Sequence, residues 1–296
     1  MFWRLMGRFI ALKQSSVGRY SWPPVLSQMT SASIEHSAPY DRIGVGYDTT
    51  RRADPYWTSR LLALLNSAPG AVCLDVACGS GNYSIALSNA GLRMTGVDLS
   101  GHMISQARQK SARIGWHQAD AAALPFADGS FDGAICTLAI HHFANRLYAF
   151  REIHRVLRGG RLVILTQSHE QIRGFWLSAY FPVAFERSIE QMPDELEVTE
   201  LLRAAGFSSI TTEKYDVRPD LQDRCLQSGK HRPEIYLDPR VRAGISTFAL
   251  FCDAAERDAG CSRLADDIAT GRIDDVIASY RHDLGDYLFM AAEKRV

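Results

Sequence analysis

Residues 72–98 read VCLDVACGSGNYSIALSNAGLRMTGVD, an apolar strand running into a glycine turn, then a helix, then a second strand that ends on an acid. The first strand is expected over 71–76 and the turn at Ala77-Cys78-Gly79-Ser80-Gly81. That turn must bend sharply and leave main chain open to a ligand, which glycine permits because it has no Cβ. A helix follows from Asn82, with Ile85, Ala86, Ala90 and Leu92 facing the sheet. The next strand, 94–97, delivers Asp98 at its carboxyl end, the edge at which open α/β sheets bind ligands. A carboxylate there can grip two ribose hydroxyls, so the layout predicts a pocket for an adenosyl cofactor.

A nicotinamide-binding turn also follows a strand and also has an acid downstream. Spacing separates the two, because G-x-G-x-x-G would need glycine at 77, 79 and 82, and the chain has Ala77 and Asn82. A nicotinamide-dependent oxidoreductase is therefore the weaker alternative. Asp75-Val-Ala-Cys-Gly-Ser-Gly instead resembles the first motif of class I S-adenosylmethionine-dependent methyltransferases. Ala77 departs from the commonest form, at a cost only if that backbone needs a positive φ.

The resemblance continues through four further segments. Trp116-His117-Gln118-Ala119-Asp120-Ala121-Ala122-Ala123-Leu124-Pro125-Phe126 is similar to the family's third segment, which implies that Asp120 and Ala121 meet the adenine amino group and ring. Ser130-Phe131-Asp132 and a strand over 133–138 follow, then Ala139-Ile140-His141-His142-Phe143. Residues 152–165, EIHRVLRGGRLVIL, resemble the helix, turn and fifth strand of the small-molecule branch related to ubiquinone and menaquinone methyltransferases. The resemblance implies a Rossmann-like α/β fold, a seven-stranded sheet with helices on both faces and a reversed last strand. It further implies S-adenosyl-L-methionine as cofactor, methyl transfer to a small organic acceptor, and Asp75, Ala77, Gly79, Gly81, Asp98, Leu99, Asp120, Ala121 and Leu138 as cofactor-binding residues. Asp75 has a plainer reading as a cap for backbone N–H groups in the turn, and Gly159-Gly160 reads as a helix stop.

Composition narrows the function classes. Thirty-three basic residues balance 33 acidic ones without a long basic run, so the electrostatic driving force for nucleic-acid binding is missing. No Asn/Asp-Pro-Pro-Tyr sequence follows the fourth strand, as an amino-methylating enzyme acting on DNA bases would require. Six cysteines without paired CxxC spacing read as reduced core thiols, and no metal site is expected, since His141 and His142 point to opposite faces if the strand continues. Residues 1–34 carry Arg4, Arg8, Lys13 and Arg19 and no acid before Glu35, a pattern that resembles a mitochondrial presequence or a disordered tail upstream of a start at Met29. The apolar stretch 9–12 is too short for a secretory core or membrane span, so a cytoplasmic protein is the default, with 35–296 as the methyltransferase domain.

Ahead of the first strand, residues 55–65 read as a helix with Trp57, Leu61, Leu62 and Leu65 on one stripe, Asp54 as N-cap and Pro55 in the first turn. In related enzymes the residues before this helix fold over the methionine end of the cofactor, which makes Tyr40, Tyr47 and Arg51 candidate lid residues; the alternative is surface packing. After the fifth strand, 195–206 reads as a helix and 207–217 as the sixth strand, but the seventh strand is delayed to 286–294. The intervening 218–285 holds too many aliphatic and aromatic residues for disorder. It reads as a helical cap over the substrate mouth, with 175–185 as a second wall, or alternatively as the surface of a homodimer. On this reading cofactor and acceptor binding are separable, and excising 220–283 spares the cofactor. His141 and His142 are the candidate general bases, with His142 preferred because the loop after the strand can turn it toward the mouth. The alternative outside the enzymes is a cofactor-binding regulatory module.

Overall fold

A computed structural model describes residues 39–44 and 46–295. The presequence-like segment 1–34 lies outside the described residues. Helix α1 (Pro39–Ile43) and a 3-10 turn (Tyr47–Thr49) precede α2 (Pro55–Leu65), β1 (Val72–Val76), α3 (Asn82–Asn89), β2 (Arg93–Asp98), α4 (Gly101–Lys110) and β3 (Gly115–Gln118). Next come β4 (Gly133–Thr137), α5 (Arg146–Val156), β5 (Gly160–Thr166), α6 (His169–Arg173), α7 (Pro182–Gln191), α8 (Glu195–Ala204) and β6 (Ser208–Tyr215). A segment with α9 (Pro239–Ala243), α10 (Ser246–Phe251), α11 (Ala254–Thr270) and α12 (Ile273–Ser279) leads to β7 (Tyr287–Lys294).

The strands form one sheet in the order β3-β2-β1-β4-β5-β7-β6, all pairs parallel except those of β7, which runs antiparallel to both neighbours. Strand order reverses between β1 and β4, which opens a crevice over their carboxyl ends. Side chains alternate across the sheet, so Cys73 packs with Trp57, Leu61, Tyr83 and Leu87 on one face, while Leu74 and Val76 pack with Phe150 and Ile153 on the other. Both faces are covered by helices, which is why β1 and β4 do not alternate apolar with polar residues; Asp75 and the terminal Thr137 are their polar members.

The segment between β6 and β7 starts and ends at one cross-strand pair, Tyr215 opposite Tyr287. It builds a third core, in which Tyr236, Phe248 and Leu264 pack on Phe175, Phe181 and Phe185. Periodicity predicts two helices here, roughly over 240–259 and 261–283, and the observed helices break elsewhere. Asp253 caps α11 by accepting a hydrogen bond from Glu256 N at 2.8 Å, and Gly271 ends it at φ 77°. Gly260, which reads as a boundary in the sequence, lies inside α11 because Phe181 packs where its Cβ would stand. Among the described residues no helix is long and apolar enough to cross a membrane.

Candidate active site

Above the switch point lies a cleft of about 860 Å³, partly open to solvent, whose walls include Ala77, Gly79, Asp98, Leu99, Asp120, Ala121 and Leu138. Asp98 stands at the end of β2 with its carboxylate aimed by two main-chain donors, Gly79 N to Oδ2 and Ser100 N to Oδ1, both at 2.8 Å. Each oxygen keeps accepting capacity for a ribose hydroxyl. Burial pushes the Asp98 carboxyl above its usual range, against the pull of those hydrogen bonds. Leu99, 45% exposed, offers an apolar surface beside it. Asp120 is fixed by accepting from Ala122 N at 2.9 Å. A Cβ built on Gly79 meets no atom within 4 Å, so the main chain of the turn is bare toward the cleft. An acid at a strand end, an apolar shelf, a second acid and naked backbone in one groove fit an adenosyl group.

Two residues expected in the cleft stand elsewhere. Asp75 is fully buried, accepts a 2.5 Å hydrogen bond from Ser84 Oγ, leaves Oδ1 without a partner, and is absent from the walls. Gly81 is also outside the walls; a Cβ there would sit 2.3 Å from Trp116, and φ is 80°, so this glycine serves close packing and the left-handed turn. Ala77 does take a positive φ of 57°, the condition under which alanine is costly, and Leu138 takes 52°. Met103, which belongs to no motif, and Phe143, which closes the segment 139–143 but carries no role there, line the cleft as well.

The segment that carries Tyr40, Tyr47 and Arg51 is tied to the starts of α3 and α4 by two carboxylates. Asp41 accepts from Ser100 Oγ at 2.5 Å and from His102 N at 3.3 Å, at the start of α4. Asp48 accepts from Ser80 Oγ at 2.5 Å and Asn82 Nδ2 at 3.1 Å at the start of α3, and pairs with Lys110 at 2.8 Å. Both carboxylates sit at positive helix ends. Tyr40 and Tyr47 close over the cleft, with ring centroids 5.9 Å apart. Arg51 is 4.9 Å from the Tyr47 ring and makes a bidentate pair with Asp223, Nε to Oδ1 at 2.5 Å and Nη2 to Oδ2 at 3.2 Å.

Two further cavities meet the cleft. One, of about 490 Å³, lies under the segment between β6 and β7 and is walled by Tyr40, Arg51, Leu138, His141, Thr166, Ser188, Ser246 and Tyr287, among others. The other, of about 360 Å³, runs over the glycine turn between Tyr47, Arg51, Ser80, Asn82 and Asp223. Leu138 lines all three. As expected, the histidines lie beyond the strand: β4 stops at Thr137 and residues Ile140–His142 form a 3-10 turn. His142 faces the cofactor cleft, with Nε2 3.5 Å from Tyr40 Oη, whereas His141 faces the chamber beneath the insertion. Burial lowers both: His142 to about 4, and His141 well below the usual imidazole value, helped by the neighbouring His142 and Arg146. Both rings are therefore neutral near pH 7.

A family model described as a methyltransferase domain matches residues 74–165. The chain is 30% identical over 203 residues to the demethylmenaquinone methyltransferase of Beutenbergia cavernae, covering 58% of this chain and 85% of the relative. It is 32% identical over 204 residues to the ubiquinone/menaquinone biosynthesis C-methyltransferase UbiE of Geotalea uraniireducens, covering 58% and 87%. The crystal structure of an Anabaena variabilis protein, assigned as a methyltransferase from an antibiotic biosynthesis pathway, superposes with a TM-score of 0.74 at 33% identity over 82% of this chain and 98% of that one. The nicotinamide alternative and the non-catalytic one both fall. Motif spacing, the reversed β7, the cleft and the relatives agree: the chain belongs to the S-adenosylmethionine-dependent methyltransferases, and it moves a methyl group from that cofactor to a small organic acceptor.

Proposed function

We propose that the acceptor is a phenolic or enolisable small molecule bound in the chamber beneath the insertion, and that His141 takes its proton. The supporting observation is that, among the described residues, the chamber and the cofactor cleft share only two wall residues, Tyr40 and Leu138, so a nucleophile in one reaches a methyl group in the other past those side chains. The bound cofactor supplies an electrophilic methyl group on a sulfonium. What remains for the protein is alignment and exclusion of water. Tyr40, Tyr47 and the insertion cover the reacting centre. Tyr40 borders both spaces, and the strained backbone of Leu138 holds its side chain at their junction.

His141 makes no side-chain hydrogen bond among the described residues, and its neutral ring, which lines the chamber, keeps one nitrogen lone pair with which to take a proton. Proton removal suits an O–H or acidic C–H acceptor, the class to which the name of the Beutenbergia relative points with demethylmenaquinone. Thr166, Ser188, Ser246 and Thr247 give the chamber hydroxyl groups for the acceptor's own oxygens. The reading places the enzyme in the cytoplasm, in keeping with six cysteines that are all free thiols. The test is S-adenosylhomocysteine release with a panel of hydroquinones, phenols and 1,3-dicarbonyl compounds, beside aliphatic amines. Turnover confined to the amines would sink it.

A further inference from the structure

We infer that Arg51 and Asp223 together form the clamp for the amino-acid end of the cofactor, so that the segment between β6 and β7 completes the cofactor site as well as roofing the acceptor. This rests on the placement of the adenosyl group in the cleft beside Asp98. The methionine end of the cofactor is a zwitterion and needs both a cationic and an anionic partner. Asp75, the acid of the glycine-turn motif, cannot reach it, since it is sealed in the core on Ser84. The cavity that continues the cleft across Ala77, Cys78 and Gly79 has one carboxylate among its described wall residues, Asp223, and one guanidinium, Arg51.

Their hydrogen-bonding capacity matches a zwitterion. Arg51 donates Nε and one Nη2 hydrogen to Asp223 and one Nη1 hydrogen to Gly244 O at 3.2 Å, leaving two N–H groups for a carboxylate. Asp223 accepts from Arg51 on both oxygens and from Tyr83 Oη at 3.2 Å on Oδ2, leaving Oδ1 one lone pair for an ammonium. The two side chains are 9% and 2% exposed. A buried ion pair contributes little net stability by itself, because desolvation offsets the attraction. An alternating set of four charges uses the same desolvated groups to bind a ligand.

The test compares S-adenosylhomocysteine with 5′-methylthioadenosine, which keeps the adenosyl thioether and lacks the amino-acid end, by calorimetry on the full chain. Asp223→Asn is expected to weaken S-adenosylhomocysteine by at least about tenfold, the loss of one charge-assisted hydrogen bond, and to leave methylthioadenosine unchanged within about twofold. If Asp223→Asn does not fold, the neutral pair Arg51→Gln/Asp223→Asn gives the same comparison without a lone buried charge. Equal losses for both ligands, or none for either, would overturn the clamp. Wild-type protein that binds neither ligand would overturn the cleft assignment beneath it.

Discussion

His141 and His142 are consecutive in the chain, their ring centroids lie 4.0 Å apart, and they open into different cavities. The 3-10 turn after β4 divides them between the cleft beside Asp98 and the chamber beneath the insertion. His141→Gln should cut methyl transfer by at least about 100-fold, the usual worth of a general base, while S-adenosylhomocysteine affinity stays within about twofold. His142→Gln should do the reverse and act mainly on affinity. Single-turnover rates and calorimetry on both variants separate these outcomes.

Because burial holds both imidazoles neutral, acidification from pH 8 to 6 should not inactivate the enzyme through histidine protonation. Stability responds instead. The unfolded chain takes up a proton on His142 near 6.5, the folded one only near 4, so folding stability contributed by this group is intact above 6.5 and lost as pH falls toward 4. Thermal melts in that window should show Tm falling with acid, and less steeply in His142→Gln.

Ala77 occupies left-handed backbone at φ 57°, where a Cβ costs about 1 kcal/mol. Ala77→Gly should raise Tm by about 2–4 °C and leave cofactor affinity in place. A fall in Tm would mean that the methyl group packs better than its backbone suggests. Leu138, at φ 52°, is not open to the same improvement, because its side chain borders all three cavities.

Asp75 is pushed up to about 7 by burial, so above that pH the folded protein must hold an ionised carboxylate in its core. A raised acid gives full stability below its unfolded value near 3.8 and loses it as pH rises toward 7. Asp75→Asn should therefore be more stabilising, relative to wild type, at pH 8 than at pH 4, with S-adenosylhomocysteine affinity unchanged within about threefold. A tenfold loss of affinity would return Asp75 to the cofactor site.

Asp98 was legible because its strand is continuous and apolar and the acid falls where the strand must end. Asp75 was harder, since its motif speaks for a ligand while its position two residues after Cys73 on β1 places it on the same core-facing side. Asp223 was invisible. It lies 172 residues from Arg51, in irregular chain shortly after β6, and only the folded chain brings the two together. With the proposed clamp, the expected separability of the two sites would not hold, because excising 220–283 removes Asp223 along with the roof.

The insertion departs from and rejoins the sheet at Tyr215 and Tyr287, residues that face each other across β6 and β7. A segment hung from a single paired point can be exchanged without re-threading the sheet, as domain insertions are tolerated where chain ends lie close together. In construction it is a cassette, whose contents can change while β6 and β7 stay paired. Any replacement inherits one obligation, a carboxylate delivered to Arg51.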